Sequence, residues 1–72
     1  DVRSPLEYGS SRISGAENIP MQEVPYITEG KYLLYCRSGA RSGSAAQYLA
    51  GKEGIEALNI GGIGQYMGCL EY

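Results

Sequence analysis

A strand, a helix and a second strand follow one another between Tyr32 and Ile60, and this order restricts the fold more than any other feature of the sequence. Tyr32-Leu33-Leu34-Tyr35-Cys36 is nearly continuous in apolar and aromatic side chains, as expected of a strand covered on both faces. Ala45, Tyr48, Leu49 and Lys52 recur at spacings of three and four, which predicts a helix over Ser44 to Lys52. Gly54 marks its exit, Ile55 to Ile60 reads as the second strand, and Gly61-Gly62 breaks it. Two strands joined through a helix make a right-handed crossover and lie parallel. The expected class is therefore α/β, a small parallel sheet with helices on both faces, in one domain spanning residues 1–72. Such a chain buries only about 60–65% of the surface its unfolded form exposes, so each peripheral element matters to stability.

The segments before the first strand carry local signals of their own. Ser4, Pro5 and Glu7 make a capping box with proline at the first helical position, opening a short helix that Gly9-Ser10-Ser11 weakens. Pro20 can start another helical turn through Met21 to Val24, with Pro25 ending it.

Composition removes several chemistries. Histidine is absent, which excludes a Ser-His-Asp triad, a Cys-His pair and an HExxH zinc site. Two cysteines, Cys36 and Cys69, are too few for the usual structural zinc sites, and no metal or cofactor is expected. Six basic and eight acidic residues give a net charge of -2 with no basic block, which argues against nucleic acid as the main partner. The apolar runs fall far short of the ~20 residues of a membrane span. The expected location is cytoplasmic, with a removed leader or a periplasmic location left open by the abrupt start at Asp1. Nothing in the sequence defines an oligomeric state.

Chemistry concentrates at Cys36. A cysteine at the carboxyl end of a parallel strand lies where open α/β sheets hold their ligands. Arg37-Ser38-Gly39-Ala40-Arg41-Ser42 follows, and then the helix. Curled around the sulfur, this segment would direct backbone N–H groups to one point, the helix would add its positive end, and Arg37 and Arg41 would add charge. All three favour an exposed, reactive thiolate needing no separate base. A buried structural cysteine beside ordinary turn glycines and solvated arginines is the plainer alternative, and the density of polar residues beside Cys36 argues against it.

Asp1-Val2-Arg3-Ser4-Pro5-Leu6-Glu7-Tyr8, Arg12 to Pro20, the segment Cys36 to Ser42, Ala45-Ala46, Leu49 and Gly61-Gly62-Ile63 together resemble the rhodanese family. The resemblance covers nearly the whole chain and implies a single-domain sulfurtransferase. It implies that Cys36 carries a persulfide, that Arg37 and Arg41 help bind a small anionic donor such as thiosulfate or polysulfide, and that Ser38, Gly39, Ala40, Arg41 and Ser42 supply the cradle. A thiol, a protein or cyanide would accept the sulfur. Arg3 and Glu7 would form a structural pair. Arg41 follows Cys36 after four residues, the spacing of the sulfurtransferase branch, whereas the related phosphatases have a loop one residue longer.

The family domain normally opens with a further strand and helix before the Asp-Val-Arg signature, and its segment between Pro20 and Lys31 is usually longer. The expectation is thus a short or N-terminally truncated form. A weakly catalytic or non-catalytic module that carries persulfide sulfur, or that binds and regulates another protein, is the alternative function. Cys69 suggests either a resolving thiol for Cys36 or a lone thiol near a loosely held end. A Cys69→Ser chain with unchanged oxidation products and turnover would dismiss the resolving role.

Overall fold

A computed structural model describes all 72 residues. In chain order the elements are α1 (Pro5–Ser10), β1 (Arg12–Ile13), a 3₁₀ helix (Met21–Tyr26), β2 (Gly30–Cys36), α2 (Ala40–Ala50), β3 (Ile55–Gly62), a 3₁₀ turn (Ile63–Gln65) and β4 (Leu70–Glu71). β2 and β3 pair in parallel and α2 lies across both, so the crossover inferred from the sequence is the centre of the molecule. β1 and β4 form a separate antiparallel pair.

α2 begins at Ala40 rather than at Ser44, so half of the expected loop is helix. Gly39 takes a left-handed backbone at φ 99°, and Gly43 N–H already donates to Gly39 O at 2.9 Å. Glycine adopts that conformation without the steric cost of a side chain, which allows the helix to start at Ala40, four positions after the cysteine.

The core lies between α2 and the facing side of the sheet. Val2, Val24, Ile27, Leu34, Cys36, Ala45, Leu49 and Ile55 form one buried cluster. Leu49 is 0% exposed, and full burial of a leucine side chain contributes about 1.5–3 kcal/mol. The 3₁₀ helix packs against α2 and runs past Pro25 to Tyr26, further than the sequence suggested. Lys52 ties the two together, donating from Nζ to the carbonyls of Pro25 at 2.7 Å and Ile27 at 3.1 Å. The parallel α/β arrangement is as the sequence implied, while cover of the two sheet faces is unequal. On the face away from α2, the neighbours Leu33 and Leu58 are 66% and 60% exposed.

The amino-terminal segment is fixed by hydrogen bonds to its neighbours. Val2 N–H donates to Tyr35 O at 3.0 Å, and Ile19 N–H donates to Asp1 O at 2.9 Å. Arg3 does not pair with Glu7. Its guanidinium instead meets the Asp1 carboxylate, with side-chain exposures of 5% and 0%, and also donates to Ser11 O. Arg3 and Asp1 are close enough for two side-chain bonds to one carboxylate, whereas Glu7 has turned toward α2. The carboxyl-terminal end is held by β1–β4 pairing and an Arg12–Glu71 ion pair at 3.3 Å, and Cys69 O accepts from Ser14 N–H. Cys69 therefore adjoins a paired strand rather than a loose end.

Candidate active site

β2 ends at Cys36 and α2 starts at Ala40, so the sulfur lies under the amino end of a helix that has no side-chain cap. The first N–H groups of a helix lack intrahelical acceptors. Here the sulfur takes that role. Gly39 N–H donates to Cys36 Sγ at 3.0 Å, and Ser42 Oγ stands 3.6 Å from it.

Two opposing influences act on the Cys36 thiol. Burial is the largest single one and disfavours the thiolate. The backbone N–H and hydroxyl of Ser42, with the N–H groups of Ser38 and Gly39, together outweigh it and bring the pKa down to about 7. Alkylation of Cys36 by iodoacetamide should therefore rise with pH about a midpoint near 7, and a midpoint of ~8.5 or higher would show that the cradle does not outweigh burial. The same depression makes folding stability rise as pH increases from about 7 toward 9, because the unfolded chain holds the proton longer.

The strand partner of β2 shapes the floor of the loop. Pairing runs in register from Gly30↔Ile55 to Leu34↔Asn59 and then skips Ile60, so Tyr35 faces Gly61 and Cys36 faces Gly62. A bulge of this kind re-aims the residues beyond it. A Cβ on Gly62 would stand 2.5 Å from Arg37 O and 3.0 Å from the Ser38 Cα, and one on Gly39 would stand 3.3 Å from the Gly61 Cα. The glycine pair is what lets the cysteine loop lie directly on the end of β3.

A profile of the rhodanese-like domain matches residues 1–68. The chain belongs to the rhodanese-like domain family. It is 36% identical to a sulfurtransferase of Allochromatium vinosum over 69 residues, covering 88% of this chain and 64% of that protein. It is 31% identical to the thiosulfate sulfurtransferase PspE of Escherichia coli over 70 residues, covering 88% and 67%. An uncharacterized Bacillus subtilis protein, YqhL, is 37% identical over 67 residues, covering 86% and 53%, so the chain spans about half of that relative's length. In three dimensions it resembles an E. coli rhodanese solved with anions, at a TM-score of 0.80, 28% identity and coverage of 97% and 91%.

Within this rhodanese-like domain the residues singled out from the sequence divide into two groups. Ser38, Gly39 and Ser42 direct donors at the sulfur. Ala40 opens α2, and its N–H is turned to Ser38 Oγ at 3.5 Å. Arg37 is exposed and enters no ion pair. Arg41 makes a two-pronged contact with Glu7, Nη1 to Oε1 at 2.8 Å and Nη2 to Oε2 at 3.0 Å. Cys36 itself is 0% exposed, which corrects the expectation of a surface thiolate. The early start of α2 folds the loop back over the sulfur, and Arg37, Ser38 and Ala40 in that loop are exposed.

Two contributors went unrecognised in the sequence. Asn59 Oδ1 stands 2.7 Å from Ser42 Oγ, where it shares the one hydroxyl proton with the Cys36 sulfur; it also accepts from Gly61 N–H at 2.9 Å, and its amide donates to Gly39 O at 3.3 Å. It thereby braces the hydroxyl, the helix start and the glycine pair together. An amide inside the otherwise apolar run Leu58-Asn59-Ile60 was the available signal. Glu7 is the second, hidden because it completes the capping box with Ser4 while its carboxylate also reaches Arg41.

Proposed function

We propose that this domain transfers sulfane sulfur through a persulfide on Cys36, drawing it from thiosulfate or a polysulfide and passing it to a thiol, a protein or cyanide. The observation that carries the reading is the convergence of N–H donors and the α2 amino end on one cysteine sulfur, with its pKa lowered to about 7. Its similarity to sulfurtransferases supports the same chemistry.

With thiosulfate, the Cys36 thiolate attacks the outer sulfur. A new S–S bond forms, the S–S bond of the donor breaks, and sulfite leaves with the electron pair. The charge moves onto the outer sulfur of the persulfide, and donors that stabilised the thiolate stabilise this anion. Cyanide then attacks the outer sulfur, thiocyanate leaves, and Cys36 returns as a thiolate. Access requires the loop from Arg37 to Ala40 to shift, since it covers the sulfur.

Two half-reactions joined by a covalent intermediate give ping-pong kinetics. Thiocyanate formation from thiosulfate and cyanide should show parallel double-reciprocal lines as cyanide is varied. Intersecting lines, or no turnover by the folded chain with thiosulfate or polysulfide, would contradict the reading. The latter result would instead support a carrier or regulatory module.

A further inference from the structure

Glu7 holds a position that a donor-binding site would be expected to leave free of negative charge. It presents both carboxylate oxygens to Arg41 while Ser4 N–H donates to the same Oε1 at 3.1 Å. The Arg41 charge is thus shared. Its guanidinium is stabilised first by Glu7 and, more weakly, by the Cys36 sulfur. Arg37 is the other cation of the loop, and it has no acidic partner.

We propose that Glu7 is a specificity-determining residue that tunes the Cys36 site against multiply charged donors by occupying Arg41. This rests on the sulfurtransferase reading for its biological meaning, but the electrostatic claim concerns Cys36 with any attacking partner. A dianionic donor must displace or approach the Glu7 carboxylate to use Arg41, and the repulsion grows with each negative charge it carries. A singly charged sulfane donor meets half of that repulsion. Across several ångströms of nearly aqueous medium, one unit charge removed changes the encounter by roughly 3-fold per charge on the partner.

Glu7→Gln is the discriminating variant. Glutamine retains the capping box with Ser4, so α1 keeps its start. Thiosulfate, a dianion, and benzenethiosulfonate, a monoanion, deliver the same sulfane sulfur and release sulfite and benzenesulfinate respectively. The variant should raise kcat/KM for thiosulfate about 10-fold and for benzenethiosulfonate about 3-fold, chiefly through KM. Salt at ~1 M should erase both gains. In a Glu7→Gln chain that also carries Arg41→Gln, the gains should disappear.

A second readout does not depend on sulfur transfer. In a Cys69→Ser background, Glu7→Gln should increase the ratio of Cys36 alkylation by iodoacetate to that by iodoacetamide about 3-fold. An unchanged ratio overturns the proposal. So does an equal fall for both sulfur donors, which would make Glu7 only a structural tether. A shifted alkylation ratio in a chain with no turnover would sustain the role of Glu7 and reject the sulfurtransferase reading alone.

Discussion

A Cys36→Ser chain is expected to fold and to transfer no sulfur. Serine is close in size to cysteine, and its oxygen can accept the Gly39 N–H that now meets the sulfur at 3.0 Å. The buried position therefore remains satisfied and the helix start retains an acceptor. The reaction, however, needs an atom that is anionic near neutrality and forms a stable S–S bond, and a serine hydroxyl does neither. Thiocyanate formation should fall by roughly 10⁴-fold or more, the scale on which covalent catalysis depends on its nucleophile. Activity assay beside a thermal melt separates the two effects. Turnover retained in the variant would remove Cys36 from the mechanism.

Arg3→Met is expected to have the largest effect on stability. The Asp1 carboxylate is completely covered and receives bonds from Arg3 N–H at 2.9 Å and from the guanidinium at 2.9 and 2.6 Å. Removing the guanidinium leaves a buried charge with one backbone donor, and breaking such a pair costs about 3–5 kcal/mol. It also removes the cation lying 5.7 Å from the centre of the Tyr35 ring, on the strand that ends at Cys36. Stabilities of whole domains are only about 5–15 kcal/mol, and a short one has little reserve. The variant should be largely unfolded at 25 °C, or lose most of its denaturation midpoint in urea. The contrast is Glu7→Gln: its pair with Arg41 is partly exposed, and surface pairs contribute about 0–1 kcal/mol. Equal melting of the two variants would show that burial does not distinguish these ion pairs.

The two residues explain what could be read in the sequence and what could not. The parallel β2–α2–β3 unit was legible because Tyr32 to Cys36, Ser44 to Lys52 and Ile55 to Ile60 each carry periodicities of local origin. The cysteine loop was legible because Gly39, Arg41 and Ser42 stand close to Cys36 along the chain. Side-chain pairing over distance was not. Arg3 with Glu7 and Arg3 with Asp1 are both plausible by spacing, and the choice follows from Val2 pairing beside Tyr35 and burying the first residues. The start of α2 is not legible because Gly39 and Gly43 look like loop residues, whereas one sets a left-handed turn and the other lies inside the helix. The depth of the sulfur follows from that start.

Asn59 illustrates the same limit at the site. Its three hydrogen bonds join residues separated by 2 to 20 positions, and their geometry depends on the bulge that skips Ile60. Gly61 at φ 99° is a local mark of that bulge, but it does not specify which residues the bulge brings together.

Intact-protein mass spectrometry after mixing with thiosulfate or polysulfide tests the central claim most directly. Wild-type chain should gain one sulfur atom, a Cys36→Ser chain should gain none, and cyanide should return the wild type to its starting mass. A folded wild-type chain that gains no sulfur, or a Cys36→Ser chain that gains the same cyanide-labile sulfur, would contradict the assignment of Cys36 as the carrier.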